Sequence, residues 1–178
     1  MRIGPKIIED GCDLSSPAIE RKTVRGIIFN EQKEVFMVYS HLFDDYTFPG
    51  GGIKFRETKE DALRRELLEE LGAIHISIHS YLGYTEERRF GLKKNEDIYQ
   101  QMSSFYMVTI HEMGEQQLIE REKWHGLEPR WIRVEDAIIH NERIKSDERH
   151  QQKGLQTVMK RELMVLYKLK EMIEHEKI

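Results

Sequence analysis

Three carboxylates crowd one short stretch of this chain. In GGIKFRETKEDALRRELLEELGA, residues 51–73, Glu66, Glu69 and Glu70 lie three and four residues apart. In a helix they fall within an arc of roughly 100°, where like charges repel by a few tenths of a kcal/mol per pair. They also sit near the helix C-terminus, whose dipole disfavours negative charge. One reading is a solvated acidic face, with Arg65 and Glu69 as a surface ion pair. The other takes account of the glycines just upstream. Carboxylates beside a loop with accessible backbone carbonyls offer the hard oxygen ligands that Mg²⁺ or Mn²⁺ takes, commonly completed by substrate phosphates.

Those residues need elements to hold them. Leu63, Leu67 and Leu71 recur at four-residue steps, Thr58 and Asp61 have the form of a capping box, and Gly72 supplies a stop. The spacing predicts a helix over about 59–71. Upstream, TVRGIIFNEQKEVFMVYS (23–40) reads as two strands joined at Asn30 to Lys33, a hairpin. FPGGG, 48–52, is a loop that approaches something closely, because Pro49 lacks a donor and the glycines lack side chains. Strands are expected over 73–89, 98–113 and about 130–134, with a turn over 90–97 and a brief helix after 134. Mixed three- and four-residue apolar spacing from Leu155 to Ile173 predicts one long helix over about 148–176. The expected architecture is α/β or α+β: a mixed sheet with helices on both faces and a long C-terminal helix. That helix covers the core or pairs two copies, so monomer and homodimer both stay open.

Composition narrows the classes. The 178 residues suit one domain, and 39% hydrophobic against 34% charged is globular. A net charge of -4 makes nucleic acid an unlikely general partner, and no stretch reads as a signal peptide or a membrane span. The single cysteine, Cys12, excludes an intrachain disulfide framework and fits a reducing compartment, with cytoplasm the default expectation.

Gly51, five residues, Glu57, seven residues, then Arg65-Glu66-Leu67-Leu68-Glu69-Glu70-Leu71-Gly72 resembles the signature box of the Nudix hydrolases, with every fixed polar and glycine position present. FPGG and the later PRWIRVEDA are similar in kind and order, so the resemblance spans about 22–140. It implies an α/β/α sandwich and a metal-dependent attack of water on a diphosphate linkage. Carried over, Glu66, Glu69, Glu70 and the Gly51 carbonyl would bind Mg²⁺ or Mn²⁺. Arg65 would orient the glutamates by pairing with Glu57 or Glu69, and Glu66 or a glutamate outside the box would help activate water. Glu120, Glu122 and Glu128 are the outside candidates, with Glu122 preferred. Arg56 and Lys54 depart from the commonest box and make the loop more basic.

The substrate implied is a nucleoside di- or triphosphate or a related NDP-X, as for MutT-like members. The proline expected of ADP-ribose hydrolases and the extended motif of NADH diphosphatases are missing, and Phe90 stands where dinucleoside polyphosphate hydrolases carry tyrosine. Cys12 is remote from the box for an isomerase role. An RNA 5'-pyrophosphohydrolase and a nucleotide sensor without turnover are the alternatives. Candidate substrate contacts are Arg25, Arg56, Arg88, Arg89 and Gly50, with Phe48, Tyr46, Phe43 and Phe90 as possible base-stacking rings. Histidines show no ligand-like spacing; His75 and His79 read as structural.

Overall fold

The fold is described from a computed structural model for residues 1–92 and 97–178. In chain order its elements are β1 (Ile7–Ile8), β2 (Ile19–Ile27), β3 (Glu34–Ser40), β4 (Asp45–Thr47), α1 (Lys59–Leu71), β5 (Ala73–Phe90), β6 (Ile98–Met113), α2 (Glu120–His125), β7 (Leu127–Arg133), α3 (Val134–Ile144), α4 (Glu148–Gln151) and α5 (Val158–Glu174). They form a mixed sheet, ordered β1-β5-β6-β2, and an antiparallel sheet, ordered β4-β3-β7. β5 and β6 are antiparallel, while β1 and β2 pair parallel at the two edges.

β3 shows how the helices sandwich the sheets. Val35 and Met37 enter a core with α3 and α5, whereas Phe36 and Val38 enter a second core with α1. Alternate strand side chains point to opposite faces, so a strand buried on both reads as an unbroken apolar run. Leu63, Leu67 and Leu71 are almost wholly buried in the α1 core, worth about 1.5–3 kcal/mol each. The ends of α1 match the expectation: Thr58 Oγ1 accepts the Asp61 N–H at 3.1 Å, and Gly72 takes φ 73° at the C-cap.

Three expectations need correction. The residues of 23–40 make a turn at Asn30 to Lys33 and the arms pair next to it, through the bridge Phe29↔Val35 and the bonds Asn30 N–H to Glu34 O and Phe36 N–H to Ile28 O, but β2 and β3 then part into different sheets. β2 is held instead by a nine-residue parallel ladder to β6. The single helix over 148–176 is broken into α4 and α5, because Gly154, at φ 88°, turns its N–H to the buried Glu9 Oε1 at 2.6 Å. The strand expected at 130–134 begins earlier, at Leu127, after α2, a helix absent from the sequence reading. The turn expected over 90–97 falls partly on residues 93–96, outside the described residues.

The glycine loop lies on the open edge of β2. Gly26 N–H donates to Pro49 O, Val24 N–H to Gly51 O and Ile53 N–H to Lys22 O, at 2.9–3.0 Å. An edge strand needs its unpaired groups covered, and this loop does it along Lys22 to Gly26 of β2. Among the described residues no helix is long and apolar enough to cross a membrane.

Candidate active site

A cleft of about 390 Å³ runs between the two cores, with α1 and the glycine loop on one side and α2, β5 and the start of α5 on the other. Gly50, Gly51, Gly52, Arg65, Glu66, Glu69, Glu70 and Glu122 all line it. Helical spacing turns the first three glutamates one way, and packing decides their environment: Glu66 and Glu70 are each 8% exposed.

Arg65 organises this wall. Its Nε and Nη2 donate to the two carboxylate oxygens of Glu57 at 2.8 and 2.9 Å, its Nη1 to Glu66 at 2.6 Å and Glu69 at 3.3 Å, and Nη2 also to Gly52 O at 3.0 Å. One planar guanidinium thus ties the glycine loop to the helix. The Arg65 hydrogen bonds, joined by the Lys54 N–H, hold the Glu57 pKa down to about 2.

Glu70 accepts the Gly50 N–H at 2.7 Å, and Arg25 donates to the carbonyls of Phe48 and Gly50. Burial pushes the Glu70 carboxyl up to about 8, against the pull of Arg25 and that N–H. Gly51 fits for steric reasons: a Cβ there would come within 2.5 Å of the Glu66 carboxylate. Gly50 takes φ 130°, a region that L side chains avoid.

The C-terminal end of α1, where the glutamates crowd, is capped from outside. Gln117 N–H donates to Glu69 O at 2.9 Å and Gln116 Nε2 to Glu70 O at 2.6 Å. These donors offset part of the dipole at that end. The same segment leads into α2 and delivers Glu122, which is 7% exposed. Burial raises the Glu122 pKa, and the charges of Glu66 and Glu69 push the same way. The other two outside candidates lie on the surface: Glu120 pairs with Lys123 at 3.1 Å, and Glu128 with Arg130 and His41 at 2.7 and 2.9 Å.

Among the described residues no three His, Cys, Asp or Glu side chains are arranged to hold an ion as they stand. Their oxygens turn inward, Glu66 to Arg65 and Glu70 to Gly50. The donor set nevertheless fits a hard divalent cation. Glu57, Glu66, Glu69, Glu70 and Glu122 gather around two neighbouring cations, Arg65 and Arg25, so negative charge is left over in a partly desolvated place. The Gly51 carbonyl accepts Val24 N–H and keeps a second lone pair.

The cleft is also lined by cations: Arg21, beside Gly52 of the glycine loop, and Arg89, Arg121 and Arg161. They lie near enough that, after desolvation, the charges of Arg89, Arg121 and Arg161 lower the Arg21 pKa. Arg161 is neutralised by Glu87 at 3.1 Å and Glu162 at 2.6 Å. Arg89 is bound to Gln101 and to the carbonyls of Phe90 and Gly154. Arg21 and Arg121 have no ion pair among the described residues.

Several candidate contacts fall elsewhere. Phe48 is fully buried and packs edge-on against Phe105 at 5.8 Å, so it is core rather than a stacking surface. Tyr46 belongs to the same core, while Phe43 does line the cleft. Arg88 donates to the carbonyls of Asp13 and Ser16, pinning the N-terminal segment, and its neighbour Arg89 takes the cleft-facing place. Arg56 is exposed at φ 64° outside the cleft lining. Arg21 had a sequence sign, since an even separation from Arg25 puts both on one strand face. Arg89, Arg121 and Arg161 come from three elements that only the fold brings together.

Carboxylates on one helix, tied to a glycine loop in a cleft that guanidiniums also line, make a set of hard oxygen donors on an α+β scaffold. The chain belongs to the Nudix family: the NUDIX domain matches residues 20–153. It is similar to the 8-oxo-dGTP diphosphatase of Escherichia coli K12, 42% identical over 65 residues, 33% of this chain and 50% of that protein. It is similar also to the RNA pyrophosphohydrolase of Hahella chejuensis, 39% identical over 74 residues, 42% of this chain and 46% of that protein. The chain spans about half the length of these curated relatives. In fold it resembles the MutT protein of Methanosarcina mazei Go1, with a TM-score of 0.54 at 15% identity over 88% of this chain and 99% of that one.

Proposed function

We propose that this protein is a metal-dependent pyrophosphohydrolase that cleaves the diphosphate linkage of a nucleoside di- or triphosphate or a related NDP-X. The observation that carries the reading is one cleft that gathers four glutamates, Glu66, Glu69, Glu70 and Glu122, with two arginines, Arg21 and Arg121, that have no ion pair among the described residues. A polyphosphate between them would be anchored by the arginines. Glu66, Glu69, Glu70, Glu122 and the Gly51 carbonyl would hold Mg²⁺ or Mn²⁺. When bound, such ions neutralise phosphoryl oxygens and lower the pKa of water. The chain's own part is positional. Arg65 and Glu57 keep Glu66 and Glu69 aimed at the loop, Gly50 and Gly51 let the phosphates approach backbone, and Glu66 or Glu122 takes the proton of the attacking water.

The test is product identification. Purified protein with Mg²⁺ or Mn²⁺ is incubated with nucleoside triphosphates, NDP-sugars, dinucleotides and 5'-triphosphate RNA. A nucleoside monophosphate product supports the reading, and binding without turnover of any compound overturns it in favour of a sensor. RNA 5'-pyrophosphohydrolase activity is the second reading, favoured by the Hahella chejuensis relative; it predicts turnover of 5'-triphosphate RNA above that of free nucleotides.

A further inference from the structure

The cleft continues past the glutamates to an end lined by Ser40, Phe43, Asp45, His125, Leu127 and His150. Its character changes there. Phe43 and His125 meet edge to face at 5.3 Å and form an aromatic wall, with Leu127 beside them. Two of its polar groups, Asp45 and His150, face each other as acceptors. Asp45 is 5% exposed, and among the described residues its carboxylate receives no hydrogen bond while its oxygens stay open to the cleft. The nearest candidate donor, His150 Nδ1, stands 3.8 Å away, too far for one. His150 is itself 2% exposed and uses Nε2 on the carbonyl of Phe43 at 3.0 Å, which leaves Nδ1 as an acceptor on the neutral ring. Burial lowers the His150 pKa and favours that neutral ring.

A carboxylate that opens on the cleft with no protein donor leaves its acceptor sites to a ligand. We propose that Asp45 and His150 form a base-reading subsite that selects nucleobases with N–H donors along one edge, as guanine presents in N1–H beside its exocyclic amine. This rests on the nucleotide reading of the cleft. Apolar and aromatic walls around a few converging polar groups are the ordinary form of such a pocket. The Phe43 ring offers the base a stacking surface. The spacing also fits: Asp45 and Gly50 are five residues apart on an extended segment, at most about 17 Å, which leaves room for a sugar and phosphates between base and glycine loop. Uracil, with one N–H between two carbonyls, sets its oxygens against Asp45 and His150.

The experiment separates this subsite from hydrolysis by measuring binding alone. Non-hydrolysable α,β-methylene analogues of GTP, ATP, CTP and UTP, and methylene-bridged tripolyphosphate, are titrated into the wild type, Asp45→Asn, Asp45→Ala and His150→Gln by calorimetry with Mg²⁺. The wild type is expected to bind the guanine analogue at least tenfold more tightly than the uracil analogue. Asp45→Ala compresses that ratio to within about threefold, while tripolyphosphate affinity changes less than twofold in every variant. Asp45→Asn keeps the shape and offers an amide N–H, so the uracil analogue gains relative to guanine. A wild type that binds all four analogues alike, or an unchanged ranking in both Asp45 variants, overturns the proposal. Hydrolysis by the wild type is scored separately: discriminating binding without turnover would leave this subsite standing and remove the hydrolase reading.

Discussion

Arg65 holds Glu57 in a two-point grip, Nε to Oε1 at 2.8 Å and Nη2 to Oε2 at 2.9 Å, and the same guanidinium reaches Glu66. Lysine keeps the charge and loses the fork, so Arg65→Lys should lower kcat about 10–100-fold, as loss of a group that orients metal ligands does. Titration of activity with Mg²⁺ should show weaker apparent metal affinity as well; unchanged metal affinity would argue against the orienting role.

Glu57 links that grip to pH. Its folded pKa, about 2, lies below the ordinary 4.5, so it contributes stability that is present above 4.5 and lost as pH falls through that range towards 2. Glu57→Gln should therefore melt below the wild type at pH 6–7, and the gap should close towards pH 2.5. Differential scanning calorimetry across that range checks the sign.

Asp45 behaves oppositely. Burial first, then the charge of Glu162, raises its carboxyl to about 7 from the usual 3.8, while Arg161 and Arg149 pull it back. A raised folded pKa means stability that is full below 3.8 and lost as pH rises through 7. Asp45→Asn should be more stable than the wild type at pH 8, by up to about 4 kcal/mol, and nearly equal to it at pH 4. Urea unfolding at the two pH values reads the difference.

Gly51→Ala tests the contact between loop and helix. Its Cβ would arrive 2.5 Å from the Glu66 carboxyl carbon, so Glu66 must move. Stability should fall by about 1–3 kcal/mol, with activity lost more steeply because the displaced group is a candidate ligand. Gly50→Ala meets the Val24 carbonyl at 2.2 Å and a φ of 130°, and should cost the fold more than Gly51→Ala does.

Glu69→Gln removes a charge and keeps the shape. Metal affinity and most activity should be lost. With a chelator present its Tm should stay within a few degrees of the wild type, because relief of repulsion from Glu66 and Glu70 is set against loss of the 3.3 Å contact with Arg65. Among the cations of the cleft, Arg21→Ala and Arg121→Ala should each raise KM for a triphosphate about tenfold with little change in kcat, and weaken the salt dependence of KM.

The carboxylate helix was legible in the chain because its causes are local. Thr58 and Gly72 stop the helix at both ends, Leu63, Leu67 and Leu71 choose the buried face, and the 3.6-residue period then puts Glu66, Glu69 and Glu70 together whatever surrounds them. Which outside glutamate joins them was not legible. Glu120, Glu122 and Glu128 look alike in sequence, and only the docking of residues 114–119 on the end of α1 turns Glu122 inward. The same holds for the rings and arginines. Arg88 and Arg89 point to opposite faces of a strand whose pairing partners lie far along the chain, and Phe43 and Phe48 flank β4, whose place is set by pairing with β3. Asp45 and its neighbour His150 are 105 residues apart in sequence, and His150 is held there by its bond to the Phe43 carbonyl. Local periodicity determined the carboxylate face, and long-range packing decided which residues complete the cleft around it.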